Sequence, residues 1–378
     1  MALVVVTGYM IRHPVAGNVW AFFHYVLGLK LLGHKVIYLE ESGWSNSVYN
    51  PWKQEWQEDP QVGIDVVRGL ITEHHIEVPV YYVNRESGQT TGGTWSEIKQ
   101  ALREADLLIN IGGVCWLPEF RLCRRRVLID MDPFFTQIGK FGSEGINEYH
   151  AYFSYGGNIG KTDCPIPTLG IDWHPIVPPV VPEVWEGVSP DGDAPLTTVA
   201  NWKAYGSVTY EGEEYGQKKE EFLRILHLPE YTSQKLDLAL AGVSDEETAQ
   251  LEKAGWLIRS AEEVGVKLES YKNYILNSRG EFSVAKNAYV KTNSGWFSDR
   301  SVCYLAAGLP VIVQETGFSN FLPTGRGILS FSTLAEAAQA IGSVNSDYSE
   351  HRNAAREIAE NVFGYRIVLT KIFEAAMK

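Results

Sequence analysis

Short apolar, β-branched segments alternate with helix-forming segments along this chain, and the alternation occurs twice. It begins with an apolar strand at Leu3–Thr7, an apolar helical segment that ends near Leu32, and a second strand at Lys35–Glu40. A strand, a helix and a further strand in this order predict right-handed βαβ units on a parallel sheet. We therefore predict an α/β protein made of two halves of similar size.

A proline-rich stretch separates the two halves. Six prolines lie between Pro175 and Pro195, and this density excludes a helix or a central strand. We interpret the stretch as an interdomain linker, after which the alternation restarts at Leu196. The expected first domain, linker, second domain and final helix occupy residues 1–182, 183–195, 196–360 and 361–378.

The charge and the cysteines limit the classes of partner. The chain has 33 basic and 46 acidic side chains and a formal net charge of −13, which disfavours nucleic acid as a partner because nucleic-acid binding depends on Lys and Arg. The four cysteines form no CxxC pair, so we expect neither a disulfide framework nor a cysteine-rich zinc site. The first residues lack the pattern of a signal peptide, and no segment has the ~20 apolar residues of a membrane span. We expect a cytoplasmic protein.

The loop at residues 286–300 is the strongest candidate for a ligand site. It follows a predicted strand, and ligands of open α/β sheets bind beyond the carboxyl ends of the strands. The loop leads into a helix that Ser298 or Asp299 could cap, and a helix N-terminus favours a phosphate group. Three nearby side chains add positive charge: Lys286, Lys291 and Arg300. The alternative is a polar loop with an ordinary helix cap.

A second loop carries two further lysines. Lys203 follows the strand that begins at Leu196, and Lys218 lies at the start of the next helix. Two ammonium groups at these positions could bind two phosphates as point charges. The alternative is that Lys218 is a solvated residue of the first helical turn.

Several segments resemble a known family. Residues 301–307 form a helical segment followed by Gly308-Leu309-Pro310 and an apolar strand. This block resembles the helix and the Ala-x-Gly-x-Pro-Val-Val segment of nucleotide-sugar-dependent glycosyltransferases of the GT-B fold, families 1 and 4. Gly295-Trp296, Gly33-His34-Lys35-Val36 and Phe363-Gly364-Tyr365 are similar to other segments of those enzymes. The resemblance implies two Rossmann-like domains facing across a cleft, with a C-terminal helix that crosses back to the first domain.

The resemblance also implies roles for individual residues. The lysines and the start of the helix near Ser301 would hold the donor diphosphate, and Glu315 would accept hydrogen bonds from sugar hydroxyls. UDP-binding members belong to the family, and no metal or other cofactor is expected, because the lysines and the helix dipole would stabilise the leaving diphosphate. The implied donor-binding residues are Gly17, Lys203, Lys218, Lys286, Ser298, Asp299, Arg300, Ser301, Glu315, Thr316 and Gly317.

The sequence departs from the family pattern at the ribose site. Many GT-B enzymes place a glutamate five residues before the Gly of Ala-x-Gly-x-Pro, and this position is Cys303 here. The family's other glutamate, eight residues earlier, is replaced by Gly295. The ribose is then held differently, with Asp299 as a candidate, or the donor is unusual.

An inverting transferase needs a general base for the acceptor hydroxyl. His13 and Asp132 both follow predicted strands of the first domain and are the candidate catalytic residues, although a retaining enzyme would need neither as a base. Among the aromatic residues near loops, Trp116 and Trp296 are the two that we expect to contact a ligand, because aromatic faces stack on sugars and bases.

The predicted function is the transfer of a sugar from a nucleotide-diphosphate sugar to a hydroxyl-bearing acceptor by closure of the two domains. The alternatives are a nucleotide-sugar epimerase or a phosphorylase on the same fold, or a non-catalytic protein that binds a sugar or a nucleotide. The acceptor would be a small molecule or a glycan. The residues leave open the donor, the acceptor, the stereochemical outcome and the oligomeric state.

Overall fold

A computed structural model describes residues 1–140, 145–187 and 192–377. Residues 188–191 of the expected linker and Lys378 of the expected final helix lie outside this described part. The chain divides into two compact units. The first unit contains residues 1–156, 168–181 and 365–378, and the second contains residues 157–167 and 182–364.

The first unit is built on an eight-stranded sheet in the order β10-β9-β8-β7-β1-β2-β5-β6. Neighbouring strands are parallel except for β6, which pairs antiparallel with β5, while β3 and β4 form a separate antiparallel hairpin. The strands are β1 (Leu3–Thr7), β2 (Lys35–Ser42), β3 (Val48–Asn50), β4 (Glu55–Gln57), β5 (Val80–Asn84), β6 (Thr90–Thr91), β7 (Leu107–Ile111), β8 (Arg126–Asp130), β9 (Ala151–Ser154) and β10 (Trp173–Pro175).

Three helices of the first unit follow its strands: α1 (Ala16–Leu31), α2 (Gln61–Glu73) and α3 (Trp95–Glu104). Helix α1 is buried over most of its length, as its apolar composition predicts. Its N-cap is Val15. Asn18 lies in the first turn, where its side-chain amide donates to the carbonyls of Tyr9 and His13 at 2.6 and 2.8 Å. Asn18 therefore fixes the loop that precedes the helix.

The second unit has a six-stranded, all-parallel sheet in the order β15-β14-β11-β16-β17-β18. This is the doubly wound order of a Rossmann fold. A short antiparallel hairpin, β12 with β13, interrupts the loop after β11. The strands are β11 (Leu196–Asn201), β12 (Val208–Tyr210), β13 (Glu213–Tyr215), β14 (Leu236–Ala241), β15 (Leu257–Ser260), β16 (Gly280–Ser283), β17 (Val311–Gln314) and β18 (Ile328–Phe331).

Eight α-helices surround this second sheet in the described residues. They are α4 (Lys218–Arg224), α5 (Asp245–Lys253), α6 (Ala261–Gly265), α7 (Leu268–Leu276), α8 (Asn287–Lys291), α9 (Asp299–Ala306), α10 (Leu334–Ser346) and α11 (Tyr348–Ile358). The core beneath them is rich in stacked aromatic rings, including Trp202 on Phe222 and Phe282 on Phe331. Helix α8 lies within residues 286–300, which the sequence had indicated to be a loop.

The passage between the units differs from the predicted linker. Residues Pro182–Trp185 form a turn of 3₁₀-helix, and Trp185 is fully buried against Tyr271 of the second unit. Residues 157–167, assigned to the first domain by the sequence, pack instead with the second unit. The reason is Asn158, whose side-chain amide donates to the carbonyls of Asn293 and Gly317 at 2.9 and 3.1 Å.

The final helix returns to the first unit. A π-helical turn at Ala359–Phe363 ends the second unit, and α12 (Tyr365–Ala376) then packs in the first. The Tyr365 amide donates to the Val180 carbonyl at 2.8 Å, and Phe373 stacks on His34 with ring centroids 4.4 Å apart. Two Rossmann-like units and a returning C-terminal helix confirm the predicted fold class.

Candidate functional site

Each sheet reverses its strand order beside its first strand. The reversal lies between β1 and β7 in the first unit and between β11 and β16 in the second. Ligands of doubly wound folds bind at this switch point, beyond the carboxyl ends of the strands. Most of the predicted site residues lie on the loops and helix starts that follow these strands.

Lys218 is the central cation of the second unit's switch point. It is the first residue of α4 and is only 8% exposed, and within the described residues its ammonium group has no hydrogen-bond or ion-pair partner. Burial lowers its pKa well below the usual value, and the charges of Arg300 and Lys286 lower it further. An unpaired amine in this position is stabilised by an incoming anion.

Helix α9 begins close to Lys218. Ser298 is its N-cap and accepts a hydrogen bond from the Arg300 amide at 3.2 Å. Asp299 accepts from the same amide at 2.9 Å, and burial raises the pKa of this carboxyl group. The Ser301 hydroxyl is fully buried and has no hydrogen-bond partner in the described residues. The helix start therefore contributes one unsatisfied hydroxyl and the positive end of its dipole.

The Arg300 guanidinium is directed toward the sheet rather than toward solvent. Its Nε donates to Glu281 Oε1 and its Nη1 donates to the Val199 carbonyl, both at 2.8 Å. Its Nη2 lies 2.6 Å from the same Glu281 oxygen, at an angle that makes no hydrogen bond. Arg300 and Glu281 therefore hold β11, β16 and α9 together, and the positive field of Arg300 reaches Lys218.

Lys286 follows β16 and faces an aromatic wall. Its ammonium group donates to the Tyr205 hydroxyl at 2.6 Å and lies 4.5 and 5.1 Å from the ring centroids of Tyr205 and Tyr289. Trp296 packs on Tyr289 with centroids 4.6 Å apart. Cation–π contacts of this kind hold the ammonium group against the two rings.

Lys203 does not lie in the buried environment of Lys218. It is exposed and pairs with Glu247 at 2.9 Å, and Lys219 pairs with the same carboxylate at 2.7 Å. These contacts lower the pKa of Glu247. Lys203 and Lys218 therefore occupy separate environments, although the sequence paired them as a clamp.

Residues 315–317 form a tight turn after β17. Glu315 accepts hydrogen bonds from the backbone amides of Thr316 and Gly317 at 3.1 and 2.7 Å. The Thr316 hydroxyl donates to the Trp296 carbonyl at 2.6 Å. Gly317 has a φ angle of 93°, and a Cβ atom there would lie 2.1 Å from Asn293 Oδ1. The turn is thus tied to the loop that precedes α9.

A buried polar network, which the sequence analysis missed, joins the loops of this site. Glu221 of α4 is fully buried and accepts hydrogen bonds from Asn287 Nδ2 at 2.7 Å and Gln314 Nε2 at 2.5 Å. Asn287 Oδ1 in turn accepts from the Gly216 amide at 3.0 Å. The sequence feature that could have indicated this network is Glu221, an acidic residue that lies beside Phe222 on the apolar face of the helix.

In the first unit, a second buried acid fixes the loop after β1. Glu40 accepts hydrogen bonds from the amides of Ile11 and Arg12 at 2.8 and 2.7 Å and from the Tyr38 hydroxyl at 2.5 Å. Burial raises the pKa of Glu40, whereas the nearby Arg12 charge opposes this shift. Arg12 also donates to the Val114 carbonyl at 2.6 Å, so it links the loops on both sides of the switch point.

His13 lies in an aromatic stack on this fixed loop. Its ring stacks on Tyr9, Tyr49 and Trp56 with centroid separations of 5.7, 5.3 and 6.1 Å. Burial lowers the pKa of His13 to about 4, so the imidazole is neutral at pH 7. Gly17 lies nearby in the first turn of α1 and is half-buried.

Asp132 is half-buried and follows the carboxyl end of β8. Its amide donates to Asp130 Oδ1 at 2.9 Å. Asp130 is the fully buried acid of the pair, and it also accepts from Thr136, Ser154 and Gln137. The loops that carry Asp132 and His13 follow β8 and β1, which are two strands apart, or roughly 10 Å. Trp116, after β7, is half-buried beside Tyr149.

Two further properties of the described residues concern metal ions and membranes. No group of three or more His, Cys, Asp or Glu side chains there has the arrangement of a metal site. No helix among those residues is long and apolar enough to cross a membrane.

Comparison with known proteins identifies the class of this fold. No protein-family model and no curated protein sequence matches the chain, but solved structures match over its whole length. AviGT4, a glycosyltransferase involved in avilamycin A biosynthesis, is 13% identical with a TM-score of 0.59 and covers 100% of this chain and 97% of its own. HepE from Anabaena, solved with UDP and glucose, is 11% identical with a TM-score of 0.58, covering 99% of each chain.

A third similar structure is an alpha-glucosyltransferase in complex with UDP-glucose and DNA containing an abasic site. It is 10% identical with a TM-score of 0.59 and covers 100% of this chain and 99% of its own. These full-length similarities establish that the chain has the GT-B fold, as the sequence resemblance implied.

Proposed function

We propose that this protein is a glycosyltransferase that moves a sugar from a nucleotide-diphosphate sugar to a hydroxyl group. The observation that carries the proposal is the buried, unpaired Lys218 beside the start of α9, at the switch point of the second unit. The similar structures of HepE and alpha-glucosyltransferase contain UDP or UDP-glucose. An anionic diphosphate would supply the negatively charged partner that the Lys218 ammonium group lacks.

The donor diphosphate would bind between Lys218 and Lys286 at the N-terminus of α9. The Ser301 hydroxyl, unsatisfied in the described structure, would donate to a phosphate oxygen. Glu315 has one carboxylate oxygen engaged by backbone amides, and the other would accept from a donor-sugar hydroxyl. Two cations and a helix dipole stabilise a leaving diphosphate electrostatically, and we propose that transfer needs no metal ion.

The acceptor would bind to the first unit, where Asp132 is our proposed general base. When Asp132 takes a proton, its carboxylate becomes neutral. When His13 takes a proton, a cation forms inside the aromatic stack, where burial already lowers the pKa of His13 to about 4. We propose that His13 remains neutral and positions the acceptor. The net charge of −13 favours a small molecule or a glycan over DNA as that acceptor.

We also propose that the two units close around both substrates. The reacting groups of a transferase must exclude water, or the donor is hydrolysed instead of transferred. Small-angle X-ray scattering with and without UDP tests this step. A decrease in the radius of gyration is expected, and an unchanged value at saturating UDP would contradict it.

The proposal is tested by calorimetric titration of full-length protein with UDP, GDP, ADP and TDP. We expect one nucleotide to bind and Lys218→Met to weaken its binding by about tenfold or more, since a charge-assisted contact contributes about 1.5–3 kcal/mol. Lys219→Met is the matched control, because Lys219 is half-buried and its ammonium group already pairs with Glu247 at 2.7 Å. If every nucleotide failed to bind folded protein, or if both variants bound like the wild type, the proposed donor site would be wrong.

A further inference from the structure

Three tryptophans of the first unit are exposed, and all three lie in one short segment. Trp44, Trp52 and Trp56 are 55%, 51% and 52% exposed. The other eight tryptophans of the chain lie in the described residues, and none of them is exposed to this extent. Large apolar rings that cluster at a surface indicate a site that a ligand covers.

The segment is anchored to the predicted acceptor side of the sheet. Trp44 follows β2, and Trp52 and Trp56 belong to the β3–β4 hairpin. The Tyr49 amide of this hairpin donates to the Arg12 carbonyl at 2.8 Å. The Arg12 guanidinium lies 5.4 Å from the ring of Trp44. Glu40 fixes Arg12 in turn, so the hairpin backbone and the Trp44 ring both contact a residue that is itself held in place.

The Trp56 ring is part of the aromatic stack that contains His13. The Trp56 ring centroid lies 6.1 Å from that of His13, at an interplanar angle of 29°, and 5.3 Å from that of Tyr49. A molecule that covers Trp56 would therefore lie beside His13, on the loop after β1.

Hydrogen-bonding side chains lie on the β3–β4 hairpin and beside it. Asn50 donates to Gln57 at 3.0 Å, and Glu58 bonds to the Asn46 amide at 2.7 Å and to Asn84. Trp56 lies in β4, and Glu58 follows at the bend where this strand ends. A cavity of about 320 Å³ adjoins Glu58 and is lined also by Asp59, Tyr82, Asn84, Gln89 and Thr91. Its size is at the lower end of small-molecule sites.

The chemistry of this surface selects one kind of occupant. Aromatic faces bind the C–H face of a pyranose ring, and amides and carboxylates bind its hydroxyl groups. Residues 44–59 carry one cation, Lys53, against Glu55, Glu58 and Asp59. This charge disfavours anionic membranes and nucleic acids, both of which attract Lys- and Arg-rich surfaces.

We propose that Trp44, Trp52 and Trp56 form a platform for a neutral saccharide, and that the acceptor of this protein is a saccharide chain. The second statement rests on the proposed glycosyltransferase function, whereas saccharide binding itself does not. The sugar ring nearest His13 would stack on Trp56, and its neighbour would occupy the cavity beside Glu58.

Saturation-transfer NMR with full-length protein tests the platform, using neutral gluco-, galacto- and manno-oligosaccharides of two to six units. We expect saturation of ring C–H protons in at least one series and a loss of affinity of about tenfold in Trp56→Ala. Trp56→Phe should restore most of the binding because it keeps an aromatic face. Tyr231→Ala is the matched control, since Tyr231 is a 65% exposed aromatic residue of the second unit.

The same variants are titrated with UDP, and with phosphatidylserine vesicles. Unchanged UDP binding together with loss of saccharide binding supports the platform. No saccharide binding by wild-type protein, or equal binding by Trp56→Ala, overturns the platform while leaving the donor site intact. Vesicle binding that requires Trp56 would also overturn it, in favour of a membrane surface. Failure to bind UDP or any other nucleotide refutes the proposed function separately.

Discussion

At the residue scale, the buried charged and titratable groups explain how the site loops are held. Glu40, Glu221 and Glu281 are each fully buried and each accepts hydrogen bonds from groups on other segments of its unit. Burying an acid is costly unless hydrogen bonds compensate it, so these contacts favour one arrangement of the loops, although Glu281 Oε2 has no partner in the described residues. Lys218 differs from these acids, because an anionic ligand would supply the partner that its ammonium group lacks.

A buried histidine makes stability depend on pH. His24 is fully buried, its Nδ1 accepts the Val181 amide at 3.2 Å, and burial lowers its pKa to about 3. The folded state therefore binds fewer protons than the unfolded state below pH 6.5. The free energy of unfolding should fall by about 2 kcal/mol between pH 7.5 and pH 5 from this group alone.

Urea unfolding at the two pH values checks this expectation. His24→Gln should be less stable at pH 7.5 but should lose less stability on acidification. His227→Gln is the control, since His227 is exposed and its ring pairs with Glu230. A His24→Gln slope equal to that of the wild type would show that His24 does not cause the acid sensitivity.

At the scale of elements, the turn after β17 depends on a glycine for two separable reasons. Gly317 has φ 93°, and an added Cβ atom would lie 2.1 Å from Asn293 Oδ1 and 2.3 Å from Asn158 Nδ2. Those two side chains hold residues 157–167 on the second unit.

Gly317→Ala should therefore lower the free energy of unfolding by about 1–3 kcal/mol or more, from backbone strain and overpacking. Gly325→Ala is the matched control, because Gly325 has φ 96° but no atom near the added Cβ. The difference between the two variants measures the crowding alone, and equal losses would contradict the contact with Asn158 and Asn293.

Much of the fold could be predicted from elements with strong local signals. The strand Leu3–Thr7, the apolar helix that was predicted to end near Leu32 and the strand that begins at Lys35 all occur within a few residues of their predicted positions. Strand β10 and the buried 3₁₀ turn at Pro182–Trp185 were missed. Their formation depends on pairing and burial by distant residues, which a proline-rich sequence does not indicate.

The proximity of Lys218 to the start of α9 could be predicted from the sequence, but the hydrogen bonds that hold these residues could not, and ligand binding there stays a prediction. The phosphate-binding expectation for Lys218 and the helix start came from the order of strand, loop and helix. The partners of Arg300 and Lys203 depend on Glu281 and Glu247, which lie on other elements and have no fixed sequence spacing. The expected roles of Glu315 and Asp299 toward a donor stay predictions.

At the scale of the whole molecule, we propose that the donor binds to the second unit and the acceptor to the first. The similar solved structures share this two-unit fold over their full length at 9–13% identity. The fold is thus kept by the pattern of strands and helices, whereas we propose that substrate choice depends on loops such as the one with Trp44 and Trp56. The sequence pattern therefore indicated the fold but did not indicate which sugar the donor carries.

The most direct test of the account is mass spectrometry of the products formed by full-length protein from nucleotide sugars and hydroxyl-bearing acceptors. We predict an acceptor heavier by one sugar unit and an equal amount of free nucleoside diphosphate. Asp132→Asn should still bind the donor but should lose about a hundredfold or more of the turnover. An isomerised nucleotide sugar or a sugar phosphate would indicate an epimerase or a phosphorylase, and bound but unconverted donor with every acceptor would contradict a glycosyltransferase.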